Sequence, residues 1–454
     1  MSAVKKMNDS VLIRWMALSI VAFMMMAAYY VNDVMAPLKS MLETDLGWTS
    51  GEFGMFSGAY SFLNVFLLML IWGGLILDRF GIRFTGLLAA FLMVAGTAAE
   101  YYAITRIGGS SSEILGFKAD VFLASAGYSV FGVGAEVAGI TVTKIIAKWF
   151  NGKEMAFAMG VQVALARIGS QAAYTVAIPL ASSYHLETPL LIGFVVLIGG
   201  FVSFVVFSMM DRKLDSQVKI SVESSDEEKF CFADVMNVVR NPGFWLIAVL
   251  CVLFYSCVFP FQKFATELMI TKYGVDETVA GTFVGLPAIG ALLLTPVFGG
   301  LIDMRGRAAT FMIVGAAMLI GVHAIYALPF VHASWVAIVL MVILGIAFSL
   351  VPSAMWPSVA KIFPVKQLGT AYALIFFIQN IGLWGVPTLI GFVLEKYCII
   401  GTELVAGKET TFYDYTLPMV IFTVIACLSL VVAFLLKAAD QKYNYGLERP
   451  NLKK

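Results

Sequence analysis

The chain has 454 residues, of which 60% are hydrophobic and 13% are charged, and its formal net charge is +1. Soluble proteins carry about 25% charged residues, so this composition indicates a polytopic membrane protein that lies in a lipid bilayer. The near-zero net charge excludes the basic surface expected of a nucleic-acid-binding protein. The five cysteines are scattered, which excludes a disulfide framework and a metal site built on cysteine spacing.

Twelve apolar segments, each long enough to cross a bilayer, predict an all-α membrane protein. They cover residues 13–36, 53–77, 84–105, 121–149, 155–182, 190–210, 243–269, 279–302, 308–328, 335–358, 368–394 and 416–437. The longest polar interval separates the first six helices from the last six. We therefore predict an N-terminal six-helix bundle (1–210), a cytoplasmic linker (211–242) and a C-terminal six-helix bundle (243–454).

Basic residues are distributed unequally between the two sides of the predicted bundle. If the N-terminus lies inside, the inner segments hold 22 Lys and Arg residues and the outer segments hold seven. Because cytoplasmic loops carry the excess of Lys and Arg, we predict that both termini are cytoplasmic.

A charged motif follows the second predicted helix and recurs after the eighth. The first copy contains Gly74, Asp78, Arg79, Gly81 and Arg83, and the second contains Asp303, Arg305 and Arg307. The two aspartates are 225 residues apart, about half the chain, as expected of a transporter built from two structural repeats. Because the aspartates can accept from arginines and helix N-termini, we predict a conformational latch on the inner side. The alternative is a charged turn anchored by snorkelling arginines.

One acidic and one basic residue lie deep within the fourth and fifth predicted helices. Glu136 precedes Trp149 by 13 residues, and Arg167 follows Met155 by 12 residues, with a polar turn between the helices. At 1.5 Å per residue, both charges lie about 18–20 Å from the same interface, near the middle of a core of about 30 Å. Each charge alone would cost roughly 2.5–3.5 kcal/mol there, so we predict a site for a zwitterion. The alternative is a structural ion pair that joins the two helices.

Several stretches match one known family. They are the motif at 78–83, Phe131-Gly132-Val133-Gly134-Ala135-Glu136, Trp149-Phe150-Asn151-Gly152-Lys153-Glu154, Ala166-Arg167-Ile168-Gly169-Ser170, Val258-Phe259-Pro260-Phe261, Trp356-Pro357 and Ile378-Gln379-Asn380-Ile381-Gly382-Leu383. Over about residues 15–436 the chain resembles the major facilitator superfamily, and within it the lysosomal dipeptide transporter branch and its bacterial-type relatives. The resemblance implies twelve helices in two six-helix bundles that work by alternating access.

The resemblance also implies roles for individual residues. A glutamate and an arginine at the places of Glu136 and Arg167 hold the amino and carboxyl ends of a dipeptide in that branch. Aromatic residues at the places of Tyr255 and Trp356 line the side-chain pockets. Two polar residues, Gln379 and Asn380, match the branch and are expected to contact the substrate.

The sequence departs from the family at Tyr128, where many members, this branch included, have an arginine on the fourth helix. That arginine is tied to coupling in proton-driven members. Its absence favours facilitated uniport over proton-coupled transport. We therefore predict a carrier of dipeptides or similar small zwitterionic peptides that works as a uniporter.

Three other functions remain open. An organic-anion or dicarboxylate carrier would combine Arg167 with a second cation of the C-terminal half, but Lys263 is expected too far out, at the outer rim, and Asp33 is likewise expected near the outer end. The others are a proton-coupled symporter of the same superfamily and a non-transporting receptor or scaffold. An enzyme, a cofactor and a metal are not expected, because no nucleophile elbow, zinc helix or nucleotide-binding loop occurs.

One sequence feature indicates which cellular membrane holds the protein. No dileucine-type sorting signal occurs in residues 1–13, so we predict a cell or bacterial inner membrane rather than a lysosomal one. The resemblance allows an accessory subunit, but no residue pattern requires one.

Overall fold

The computed structural model describes residues 7–151, 153–218, 232–405 and 408–450, and these are mostly helical, as the sequence predicts. The helices are α1 (Val11–Val34), α2 (Lys39–Leu46), α3 (Ser50–Phe66), α4 (Met69–Tyr102), α5 (Ala119–Trp149), α6 (Met155–Ser183), α7 (Thr188–Val218), α8 (Phe232–Val239), α9 (Pro242–Tyr273), α10 (Glu277–Val284), α11 (Leu286–Arg305), α12 (Ala308–Ala327), α13 (Ser334–Ile362), α14 (Val365–Tyr397) and α15 (Thr416–Tyr443). Two antiparallel hairpins pair β1 (Glu113–Ile114) with β2 (Phe117–Lys118) and β3 (Ile399–Val405) with β4 (Lys408–Tyr413). Within the described ranges, ten helical segments are long and apolar enough to cross a membrane.

Two helices that the sequence predicts to be continuous are broken. The predicted helix 53–77 is divided between α3 and α4, because Leu68 adopts a left-handed backbone conformation with φ of 53°. The predicted helix 279–302 is divided between α10 and α11 at Gly285. Within α4 the chain turns at Gly81, whose φ of 75° is readily adopted only by glycine. Gly81 therefore separates two membrane passes, within the loop that the sequence predicts there.

The helices form two groups, which we call the N-terminal half (residues 7–218) and the C-terminal half (residues 242–450). In the N-terminal half, α1 packs on α6 and α7, while α5 packs on α3 and α4. In the C-terminal half, α9 packs on α14 and α15, and α11 packs on α13. The halves meet chiefly where α3 contacts α14 and where α6 contacts α10 and α11.

Both ends of the described chain lie on the same side of the molecule, since an even number of passes separates them. The backbone N–H of Met7 donates to Gln217 at the end of α7, at 2.9 Å. Near the other end, the N–H of Arg307 donates to the carbonyl of Glu448 at 3.1 Å. We call this face the terminal side and the opposite face the distal side.

Polar contacts join the two halves on the distal side. The buried Lys39 of α2 pairs with Glu267 of α9 at 2.5 Å. At the end of α14, Glu395 accepts a hydrogen bond from the N–H of Gly51, at the start of α3, at 3.1 Å. A further ion pair joins Lys408 of β4 to Asp45 of α2 at 2.6 Å.

On the terminal side, the polar contacts of Asp211 and Glu448 each lie within one half of the molecule. Asp211 of α7 accepts from Lys148 and from the indole of Trp149, at 2.8 and 3.0 Å. In the C-terminal half, Glu448 accepts from the hydroxyl of Thr310 at 2.8 Å. Since the polar contacts that join the halves lie on the distal side, we infer that the space between the halves is closed there and opens toward the terminal side.

Candidate functional site

A cavity of about 270 Å³ lies between the two halves. Its volume is close to the lower end of the roughly 300–1,000 Å³ typical of small-molecule sites. Five of the six residues that the sequence predicts to bind substrate line it, namely Glu136, Arg167, Tyr255, Trp356 and Gln379. The sixth, Asn380, does not line the cavity, because its amide is buried and donates to the carbonyl of Phe376 within α14 at 3.0 Å.

The position of Glu136 follows from a close approach between α5 and α3. A Cβ atom at Gly132 would lie 2.1 Å from the carbonyl oxygen of Tyr60, so only glycine fits there. This approach brings the Tyr60 hydroxyl to Glu136, where it donates to Oε1 at 3.1 Å. The half-buried carboxylate therefore faces the cavity with one neutral hydrogen-bond donor beside it.

Arg167 is positioned in a similar way by α6 and α1. A Cβ atom at Gly169 would lie 2.1 Å from the carbonyl oxygen of Met26. The Arg167 guanidinium lies over the rings of Tyr29 and Phe348, at 5.5 and 5.0 Å from their centroids. Its Nε is buried without a hydrogen-bond partner. The cation is thus held against aromatic faces, with donors left unused.

The two charges do not form the structural ion pair that the sequence left open. Among the described residues, neither Glu136 nor Arg167 has an ion-pair partner within 4.0 Å. The physical reason is that α5 packs on α3 and α4 whereas α6 packs on α1, so the two helices flank the cavity. Both charges consequently remain available to a ligand.

Aromatic side chains of the C-terminal half form a wall of the cavity. The Trp356 indole donates to the Tyr255 hydroxyl at 3.0 Å and stacks on Phe376 with ring centroids 4.7 Å apart. Tyr255 in turn stacks on Phe259 at 5.5 Å. Because these rings support one another, the wall is a preformed apolar surface with few polar atoms.

A second pair of charges, Lys263 and Asp33, lines the same cavity, which the sequence did not predict. Lys263 of α9 pairs with Asp33 of α1 at 3.1 Å and so joins the two halves. It also donates to the carbonyl of Asn32 at 2.7 Å. Asp33 lies one residue before the end of α1, and Lys263 lies ten residues before the end of α9. The hydroxyl of Tyr128 donates to the Asn32 carbonyl at 2.7 Å and closes this network.

The predicted latch residues lie outside the cavity, on the terminal side. Asp78 accepts from Lys144 at 3.1 Å, and Arg83 pairs with Asp215 at 2.8 Å, all within the N-terminal half. Arg79 lies over the ring of Phe80. The other latch positions are Gly74 within α4, the turn residue Gly81, Asp303 and Arg305 at the end of α11, and Arg307 at the start of α12.

The described residues contain no group of three or more His, Cys, Asp and Glu side chains that could hold a metal ion. The side chains that line the cavity include two carboxylates, two cations and several aromatic rings. Asp33, Glu136 and Arg167 come from the N-terminal half, and Lys263 comes from the C-terminal half.

The chain is similar to known proteins both in sequence and in fold. The Major Facilitator Superfamily model matches residues 18–387. The lysosomal dipeptide transporter MFSD1 of Homo sapiens is 27% identical over 84% of this chain and 80% of its own length, and that of Mus musculus is 28% identical over the same shares. Among solved structures, the nucleoside transporter NupG has a TM-score of 0.69 at 14% identity, covering 93% of this chain and 98% of that chain.

A bacterial homologue of the human lysosomal transporter Spinster has a TM-score of 0.66 at 13% identity, covering 94% of this chain and 97% of that chain. These likenesses confirm the predicted fold of twelve transmembrane helices in two six-helix bundles. The protein is a multi-pass membrane transporter and not an enzyme. The family model covers most of the chain, and the chain therefore belongs to the major facilitator superfamily.

Proposed function

We propose that this transporter carries dipeptides or similar small zwitterionic peptides. The observation that carries the proposal is that Glu136 and Arg167 line one cavity and are not paired with each other. Glu136 would accept from the peptide ammonium, and Arg167 would hold the peptide carboxylate through two parallel hydrogen bonds. The names of the MFSD1 relatives, which are dipeptide transporters, point to the same class of substrate.

The charge balance of the cavity favours a zwitterion. Asp33 and Lys263 neutralise each other at 3.1 Å, which leaves Glu136 and Arg167 as the anion and the cation without an ion-pair partner among the described residues that line the cavity. A zwitterionic peptide supplies the complement of both. A dicarboxylate would bring a second negative charge toward Glu136 and would be repelled.

The aromatic wall suits peptide side chains of varied shape. Tyr255 and Trp356 present ring faces, and their polar side-chain atoms form a hydrogen bond with each other. Contact with such faces depends on apolar area more than on the identity of the side chain, so we expect little discrimination among neutral dipeptides. Gln379 offers an amide to the peptide group, while its Oε1 accepts from the Cys251 thiol at 3.4 Å.

Transport would proceed by alternating access of the cavity to the two sides. The distal contacts, including Lys39–Glu267, would break when the distal side opens. We propose that the latch residues around Asp78 and Asp303 then join the halves on the terminal side. With no ion-coupling residue identified by sequence, we propose facilitated uniport, in which the dipeptide gradient sets the direction.

The excess of Lys and Arg on the terminal side supports a cytoplasmic location for both termini. For the membrane itself, the sequence predicts the cell membrane, whereas the relatives are named as lysosomal and do not favour that prediction. Imaging of a fluorescent fusion of the full chain decides between the two membranes.

The proposed function is tested by counterflow in proteoliposomes. Vesicles loaded with unlabelled Ala-Ala should accumulate labelled Ala-Ala, and external Ala-Ala should compete while succinate should not. Uptake should be unchanged by a protonophore if the carrier is a uniporter. Competition or thermal stabilisation by dicarboxylates alone would overturn the dipeptide proposal in favour of the anion carrier, for which Lys263 would supply the second cation.

A further inference from the structure

We propose that Lys263 is a specificity-determining residue that favours dipeptides with an acidic side chain. The inference rests on the proposed dipeptide function and names a preference within that class. Lys263 lines the same cavity as Arg167 but comes from the opposite half, on α9 rather than α6. A peptide whose main-chain carboxylate lies on Arg167 would therefore have a second cation within the same enclosure.

Asp33 and Lys263 differ in how many of their hydrogen-bonding positions are already used. Asp33 accepts from the Asn32 amide at 2.8 Å and from the Ser170 hydroxyl at 2.6 Å, in addition to Lys263. Its short side chain is buried and uses three of about four acceptor positions. Asp33 is thus fixed within the N-terminal half and has little capacity for a further donor.

Lys263, unlike Asp33, can form a further hydrogen bond. Its ammonium makes two good hydrogen bonds, to the Asn32 carbonyl at 2.7 Å and to Asp33 at 3.1 Å, and a long contact of 3.4 Å to the Tyr128 hydroxyl. An ammonium has three donors, so one is poorly used. The charge is carried on a flexible four-carbon stem, which lets it turn toward a carboxylate while it keeps Asp33.

The same asymmetry disfavours a basic side chain. Such a side chain would have to replace one of the donors that already occupy Asp33, and it would approach Lys263 and Arg167 at the same time. An acidic side chain adds an acceptor to Lys263 and breaks no existing bond. We therefore expect binding in the order acidic, neutral and then basic side chain.

The alternative is that the Lys263–Asp33 pair only holds α1 against α9 and closes the distal end of the cavity. A purely structural pair would affect stability and would leave the ratio of affinities for two dipeptides unchanged. The ratio of the Ala-Ala to the Ala-Glu dissociation constant separates the two roles.

The experiment measures both dissociation constants by titration calorimetry on the purified full chain. In the parent protein, Ala-Glu should bind about tenfold more tightly than Ala-Ala, as expected for one added charge-assisted hydrogen bond. Lys263→Met should bring the ratio to about one. Asp33→Asn, which leaves the lysine without its anion, should raise the ratio above that of the parent. Lys396→Met, which removes an exposed lysine outside the cavity, is the matched control and should leave the ratio unchanged.

If Lys263→Met and Asp33→Asn both keep the parent's ratio of the Ala-Ala to the Ala-Glu dissociation constant, the inference is overturned. A ratio in Asp33→Asn that is lower than that of the parent would also overturn it. If Lys263→Met does not fold, as judged by gel filtration, the direction of the change in Asp33→Asn decides alone. Failure of the parent to bind Ala-Ala would instead overturn the proposed dipeptide function. The two failures are therefore distinguishable.

Discussion

Glu136→Gln removes a charge from the cavity with almost no change in shape. The glutamine keeps an oxygen that can accept from the Tyr60 hydroxyl, as Oε1 does at 3.1 Å, so the local packing should survive. The lost interaction is a hydrogen bond between a carboxylate and the peptide ammonium. Such bonds contribute about 1.5–3 kcal/mol, which corresponds to roughly 10–150-fold in dissociation constant.

Titration calorimetry with Ala-Ala measures this change directly. Tyr60→Phe is the matched control, because it removes a neighbour of the carboxylate and keeps the charge. Its effect should stay below about tenfold. A Glu136→Gln protein that is folded and binds Ala-Ala with the dissociation constant of the parent would refute the assignment of Glu136 to the ammonium.

Four other changes have expected outcomes. Arg167→Lys should weaken Ala-Ala binding by at least about tenfold, since a lysine cannot form two parallel bonds to a carboxylate. Gly54→Val should favour the state open on the distal side, because a Cβ there would lie 2.5 Å from a carbonyl oxygen of α14, and a cysteine-accessibility assay detects that shift. Asp211→Asn should lower stability by about 2 kcal/mol, because its buried carboxylate holds charged partners, as measured by melting in detergent. The pKa of Glu154 is lowered by hydrogen bonds from Arg14, so any stabilisation by this pair is present above pH 4.5 and is lost as pH falls further.

Each of these expectations has an opposing result. Equal Ala-Ala affinity in Arg167→Lys would argue against a bidentate carboxylate site. Unchanged accessibility in Gly54→Val, or an unchanged melting temperature in Asp211→Asn, would contradict the packing described above. A stability difference between the parent and Glu154→Gln that grows below pH 4.5 would contradict the sign of the ion-pair effect.

The sequence predicted those parts of the structure that depend on helix length and depth. A count of 1.5 Å per residue predicted matched depths for Glu136 and Arg167, and the structure places both on long helices that line one cavity. Depth alone could not say whether the two charges touch. Contact between them depends on helix packing, and α5 packs on α3 and α4 whereas α6 packs on α1.

The break between α3 and α4 had no sequence signal. Residues Leu67 and Leu68 are neither glycine nor proline, and the apolar run continues through them. The strained backbone at Leu68 is therefore a product of tertiary structure. The division between α10 and α11 is different, because Gly285 stands at that point and is followed after one residue by Pro287.

The sequence placed Asp33 and Lys263 near the outer ends of their helices but could not show that they touch. Their 3.1 Å ion pair depends on how α1 of one half approaches α9 of the other, which helix length does not determine. Neither α2 nor the β3–β4 hairpin was predicted, because both are short elements outside the long apolar segments.

The most direct test of the central claim is a structure determined by electron cryo-microscopy with Ala-Ala bound. The account predicts the peptide nitrogen at about 2.7–3.2 Å from a carboxylate oxygen of Glu136, and both carboxylate oxygens of the peptide on the guanidinium of Arg167. A peptide bound outside this cavity, or bound with its two ends exchanged, would contradict the account.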